Sequence, residues 1–199
     1  EVANDLQSLG TVYKAQRLWE KSEEYFLKSL KIQEEYFGKK NINTTSILNQ
    51  IANLYSINEE YEKARKIYLE ILEIQKKFLP PYHPDIAITL NNIGYIYINE
   101  KEFKKAENIF LEALKNDQTK FGKVHPRVAT LKFNLGQIYF RQGFFVKAED
   151  YFKEALKDNE KIFGQQNPEL QNNLDSLVHV YYQMGNFQLA NRYFKRAAI

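Results

Sequence analysis

The side chains able to do acid, base or metal chemistry are few and badly placed for it. The three histidines are His83, His125 and His179. Imidazole is a common metal ligand and the usual proton carrier near neutral pH, but a metal site needs several such groups converging on one point. His83 and His125 each stand directly before a proline, 42 residues apart, and His179 lies in an apolar stretch, so no spacing brings two of them together. No cysteine is present to supply a thiolate. No glycine-rich phosphate loop, nucleophile elbow or HExxH occurs. Adjacent carboxylates such as Glu23 and Glu24 sit in a lysine-rich segment that reads as an outer, solvated helix face. The expectation is a protein that is not an enzyme and carries no metal and no cofactor.

The neutral amide is the group whose recurrence asks for a role. The stretch "HPDIAITLNNIGYIYI", residues 83 to 98, holds Asn91 and Asn92 and a single charge, Asp85, in a chain that is 27% charged. Asn and Gln donate and accept at once, which is what clamping the C=O and N–H of a peptide backbone requires. Asn is also a mediocre helix former, so its repeated use inside a helix is not explained by propensity.

Composition sets the outer limits. With 199 residues, 44% hydrophobic, the chain can bury a substantial core. The formal net charge is +3, with Lys and Arg interleaved with Glu, so no basic footprint for nucleic acid or anionic lipid is expected. No apolar run approaches membrane-spanning length and no signal peptide opens the chain, so the expected location is the cytoplasm. The sequence starts at Glu1 rather than Met, which reads as a piece of a longer protein.

Sliding the chain along itself supplies the elements that must position these amides. "LQSLGTVY", "LNQIANLY", "LNNIGYIY", "KFNLGQIY" and "LDSLVHVY" superpose at a constant offset of 42 residues. One column reads Gly10, Ala52, Gly94, Gly136 and Val178; a second is tyrosine throughout, from Tyr13 to Tyr181. A third reads Ser22, Ala64, Ala106, Ala148 and Ala190, and a fourth Phe26, Tyr68, Phe110, Phe152 and Phe194. Self-similarity at this period marks a stacked array whose units bury their apolar faces against one another. Within a unit the apolar spacing of three and four predicts two amphipathic helices around a short polar break. Approximate repeats run 1–41, 42–83, 84–125, 126–167 and 168–199.

Local signals mark the helix ends. Pro84, Pro126 and Pro168 suit the first turn of each first helix. Gly38, Gly122 and Gly164 read as left-handed caps closing the second, with Pro80 replacing glycine in the second copy. Glycine inside the first helix costs about 1 kcal/mol against alanine. Its pairing with a small residue, Gly10 with Ser22, Gly94 with Ala106 and Gly136 with Ala148, predicts a close crossing of the two helices.

These columns resemble the tetratricopeptide repeat, and the 42-residue period with "HPDIAITLNNIGYIY" resembles the kinesin-light-chain-like variety. The resemblance covers essentially the whole chain. It implies an all-α fold, a right-handed α-solenoid of five helix-turn-helix repeats in a single array, with the first helices lining a concave groove. It also implies a scaffold or adaptor that binds a peptide segment of a partner protein in that groove.

The groove positions that the resemblance implies fall in three columns one turn apart. They are Gln7, Asn49, Asn91, Phe133 and Asp175; then Thr11, Asn53, Tyr95, Gln137 and His179; then Lys14, Ser56, Ile98, Phe140 and Tyr182. The amides would clamp the ligand backbone, and Tyr95, Phe133, Phe140 and Tyr182 would hold its apolar side chains. The competing reading has the amides bonding to one another between neighbouring helices. Asn92, Asn134 and Gln50 form an adjacent column that reads as structural. Lys132 breaks the leucine column Leu6, Leu48, Leu90 and Leu174, and Phe133 stands where an amide would, so the fourth segment differs.

Charge supports the same assignment of faces. First helices such as "ILNQIANLYSI" carry no charge, whereas second helices such as "FKKAENIFLEALKND" alternate Lys and Glu. Two other functions stay open: self-association through array ends, and a peptide-sensing regulatory domain attached to an effector. The last helix, "FQLANRYFKRAAI", keeps the apolar spacing of an internal one and shows no cap at Ile199. Its Leu189, Tyr193 and Ala197 are therefore expected to be covered, by more chain or by another copy.

Overall fold

In the computed structural model, which describes residues 1–197, each apolar period is a helix. Among the described residues there are ten α-helices, two 3-10 turns and no strand. The helices are α1 (Val2–Ala15), α2 (Trp19–Phe37), α3 (Thr45–Ile57), α4 (Tyr61–Phe78) and α5 (Pro84–Asn99). They continue as α6 (Phe103–Phe121), α7 (Pro126–Arg141), α8 (Phe145–Phe163), α9 (Gln171–Gln183) and α10 (Phe187–Ala197). Two compact units are present, one spanning Glu1–Lys101 with α1 to α5, the other beginning at Glu102 with α6 to α10.

Side chains that accept a backbone N–H start two of the first helices, α5 and α7. His83 Nδ1 accepts from the Asp85 amide at 3.2 Å and His125 Nδ1 from the Arg127 amide at 3.3 Å, each followed by proline in the first turn. Both histidines are thus caps. Asn41 and Asn167 accept in the same way, but each opens a 3-10 turn, Ile42–Thr44 and Pro168–Leu170. Pro168 therefore starts a 3-10 turn rather than the α-helix, which begins at Gln171.

The glycines ending the second helices differ from the left-handed caps expected. Gly38, Gly122 and Gly164 have φ of 89°, 84° and 89°, but their ψ values of 156°, 176° and 162° lie in the extended region open essentially to glycine alone. Leu79, ahead of Pro80, is simply extended at φ −109° and ψ 150°. A second glycine-favouring column went unread in the sequence. Arg17, Glu59, Lys101, Gly143 and Gly185, in the five hairpin turns, all have positive φ.

Packing around the small column also differs from the expected contact of backbone on backbone. A Cβ built at Gly10 would lie 2.5 Å from the Phe26 ring, and one at Gly136 would lie 2.6 Å from the Phe152 ring. Glycine is needed because the aromatic column of the same hairpin lies across it. The Ser22 hydroxyl then donates to the Gly10 carbonyl at 2.8 Å, so the hairpin is closed by a hydrogen bond as well. Phe26, Tyr68, Phe110 and Phe152 are all 1% exposed or less. Burying each ring fully contributes about 1.5–3 kcal/mol.

The fifth copy departs from this column, since Phe194 is 60% exposed. Val178 stands at the glycine position there and packs, partly buried, against the core of this unit. Leu189, Tyr193 and Ala197, expected to be covered by more chain or by another copy, pack half-buried against the core of this unit itself. Ile199 lies outside the described residues.

Candidate functional site

The uncharged stretches of the first helices reach the surface as expected, but their amides do not all behave alike. On α3, Asn49 and Asn53 lie one turn apart and are half-buried. The Asn49 side-chain oxygen is buried without a hydrogen-bond partner. The Asn53 oxygen accepts from the Tyr68 hydroxyl at 2.6 Å, inside its own hairpin. Burial raises the Tyr68 phenol well above its ordinary value, which keeps it protonated as the donor. Asn53 retains only its NH2 for anything else.

On α5, Asn91 is half-buried, and Tyr95 and Ile88 are 45% and 55% exposed. Ile98, a position in the third column, is only 3% exposed and cannot line an open face. A step of three residues falls about 60° short of a full turn, which carries Ile98 round from the face of Tyr95 towards the core. Near the start of this unit, Thr11 donates back to the Gln7 carbonyl at 3.0 Å, and Lys14 donates to Gln50 Oε1 at 2.9 Å. Gln50 is thereby a bridge between repeats, the structural role expected of its column. Gln7 and Ser56 are half-buried.

In the second unit the same columns are aromatic and more involved in packing. Phe133 on α7 lies against Phe152, ring centroids 5.4 Å apart, and Phe140 against Phe145 at 5.6 Å. Both are half-buried members of the hairpin interior rather than free anchors. Gln137 Nε2 reaches Ser176 Oγ on α9 at 3.5 Å, a long contact between neighbouring repeats. On α9, Asp175 accepts from Gln171 Nε2 at 3.0 Å, and His179 is exposed. Tyr182 is 63% exposed and meets Phe187 edge-on at 5.3 Å. Asn134, in the adjacent column, is buried, at 1% exposure.

Lys132, which breaks the leucine column, is buried and paired. Its ammonium lies 2.7 Å from an Asp158 oxygen and 3.0 Å from Glu154. Burial opposes its charge, but the two carboxylates outweigh it and hold its pKa above the usual lysine value. In the second repeat the equivalent residues are Leu48 and Ile74, both buried and apolar. The fourth repeat has exchanged an apolar pair for an ion pair.

The tyrosine column has a role that sequence reasoning did not assign. Tyr55 donates to Glu23 at 2.5 Å, Tyr139 to Glu107 at 2.6 Å and Tyr181 to Glu149 at 2.7 Å, each pair 32 residues apart. In every case a first helix is fastened to the second helix of the preceding repeat. Glu23 is therefore not on an open wall. In the third repeat the acid is replaced by Arg65, whose guanidinium lies 5.6 Å from the Tyr97 ring and pairs with Glu100. The constant spacing of 32 was a signal available in the sequence.

The outer faces carry the expected helical ion pairs, such as Lys28 with Glu24 and Lys153 with Glu149. Among the described residues no group of three or more His, Cys, Asp and Glu side chains gathers to hold a metal ion. None of the described helices is long and apolar enough to cross a membrane.

Comparison with known proteins agrees with this geometry. A search of curated proteins by sequence returns no match. A solved structure of BtubC (BKLC) from P. vanneervenii is 25% identical, with a TM-score of 0.79 over 98% of this chain and 78% of that one. A Podosopora anserina protein with kinesin light chain nearly identical TPR-like repeats is 15% identical, with a TM-score of 0.80 over 98% of this chain and 92% of that one. A Rap protein complexed with Competence and Sporulation Factor is 18% identical, with a TM-score of 0.75 over 96% of this chain and 52% of that one. Profiles described as tetratricopeptide repeat match residues 2–77, 43–119 and 127–198, and again 91–162. The chain belongs to the tetratricopeptide repeat family, and its fold is that of the kinesin-light-chain-like repeats.

Proposed function

We propose that this chain is a binding module that holds a peptide segment of a partner protein on the faces of its first helices. The carrying observation is a solvent-facing helical surface almost without charge: α3 has none, α5 has only Asp85, and Ile88 and Tyr95 stand exposed on it. Large exposed side chains on an uncharged face mark interaction sites more often than solvation. Asn49 and Asn91 would grip the ligand backbone in the first unit, with Asn53 contributing a donor. Tyr95 in the first unit and Tyr182 with His179 in the second would meet its side chains. Phe133, Gln137, Phe140 and Asp175 would shape the second face from beneath, since each already has a contact within the fold. Structural likeness to a Rap protein in complex with the Phr* peptide, at 16% identity, supports a peptide as the ligand class.

The test is unbiased peptide display on the purified chain, followed by calorimetry with variants. Tyr95→Ala should change which peptides are selected, because an aromatic anchor reads side chains. Asn49→Ala should leave stability unchanged or raised, since it removes a buried acceptor with no partner, and should weaken a selected peptide about three- to tenfold, equivalent to roughly 0.5–1.5 kcal/mol. Failure of display to return any binder, or full affinity in both variants, would refute the reading.

A further inference from the structure

Two large side chains on α5 stand where the fold asks for none. Ile88 belongs to the column Asn4, Ser46, Ile88, Thr130 and Asn172, which is exposed in all five copies and polar in the other four. Tyr95 belongs to the column Thr11, Asn53, Tyr95, Gln137 and His179, again polar in every other copy and never buried. Packing therefore gives no reason for either residue. Propensity gives none, since Ile and Tyr are poorer helix formers than Gln, Glu or Lys. Seven residues apart, they project within about 20° of the same direction and stand about 10 Å from each other along the helix axis. Asn91 and Asn92 lie between them, and α5 carries no charge from Ile88 to its end at Asn99. Asp85 stands one turn before Ile88, at the helix start, with a carboxylate oxygen 3.7 Å from His83 Nδ1. The preceding first helix, α3, has no charge at all.

Given the peptide reading, on which this rests, we propose that the third repeat selects the ligand. It takes an extended, uncharged segment with two apolar side chains three residues apart, one against Ile88 and the other against Tyr95. Three residues of extended polyproline-II chain span about 9 Å and bring the side chains back to one face, which matches the separation of the two anchors. An extended chain also leaves its C=O and N–H groups open to side-chain amides, whereas a helix has already paired its own. A charge on either intervening residue would lose water with no counter-ion to replace it, on α3 or on α5 beyond its first turn.

The test is unbiased display of short peptides on the whole chain, read for composition as well as for binding. Selected peptides should share two apolar residues three apart with uncharged residues between them. Ile88→Ser and Tyr95→Asn install the residues that the second repeat carries in the same columns, Ser46 and Asn53, so each variant should keep its circular dichroism and melting temperature. By calorimetry each should weaken the selected binder about tenfold, and display on each should lose the apolar preference at one of the two positions, a different one in each variant. Lys or Asp at either intervening position of the peptide should weaken binding about tenfold or more, while raising salt from about 50 to 500 mM should change the affinity for the uncharged peptide less than about twofold. A library that returns no binder removes the peptide reading and the selected segment with it. Binders rich in charge, binders without the spaced apolar pair, or full affinity in either variant would leave a peptide module in place and overturn selection by the third repeat.

Discussion

Replacing Lys132 alone and together with Asp158 separates two accounts of the fourth repeat. Lys132→Met keeps the volume and removes the charge. Asp158, 6% exposed, is then left as a carboxylate without its cation, while Glu154, 60% exposed at its side chain, is rescued by water. Removing one member of a buried pair costs about 3–5 kcal/mol. Asp158→Leu strands the ammonium instead, with Glu154 as its one remaining partner at 3.0 Å, so its cost should fall at the lower end of that range. The double change Lys132→Leu and Asp158→Ile installs the residues that the second repeat carries at these places, and apolar replacement of a whole buried pair is commonly neutral or stabilising by about 1–4 kcal/mol. The double variant should therefore equal or exceed the wild type although both single variants fall below it. Urea unfolding followed by circular dichroism at neutral pH measures all four proteins. Single changes costing under about 1 kcal/mol that simply add would show that the pair is a bystander and refute the reasoning.

Two further outcomes follow from packing and titration. Gly136→Ala should destabilise the chain by about 1–3 kcal/mol despite the better helix propensity of alanine, because the new Cβ would lie 2.6 Å from the Phe152 ring; denaturant unfolding should lose cooperativity, and an unchanged curve would count against the ring-on-glycine packing. Burial, reinforced by the bond to Glu149, pushes the Tyr181 phenol up to about 12. Since the folded state favours the neutral phenol, the stabilisation is complete below the unfolded value of about 10 and is lost as pH rises towards 12. Stability measured between pH 9 and 12 should decline less steeply in Tyr181→Phe than in the wild type, and parallel profiles would contradict the clasp.

Much of the fold was legible because it is written in local periods. Apolar residues at three and four, a proline after a capping side chain and the 42-residue recurrence each act over a few residues, so the helices and their starts at Pro84 and Pro126 could be read directly. The site was legible only as a face. Asn49 and Asn53 have the same residue type, spacing and burial, yet one oxygen is unpartnered and the other accepts from Tyr68, fifteen residues on. Ile98 occupies a groove column and is buried, and Phe133 and Phe140 serve the hairpin before any ligand.

What the sequence determined by itself is the repeat, its two helices and the uncharged character of the first of them. What the tertiary structure decided is which side chain meets which: Lys132 with Asp158, the tyrosines with glutamates 32 residues back, the Phe152 ring over Gly136, and Phe194 left exposed where its column is otherwise buried. Periodicity fixes the face a residue occupies, because backbone hydrogen bonds set 3.6 residues per turn whatever the side chains are. Partnership depends on how closely two helices approach, and that distance is set by the volumes of all the side chains between them at once.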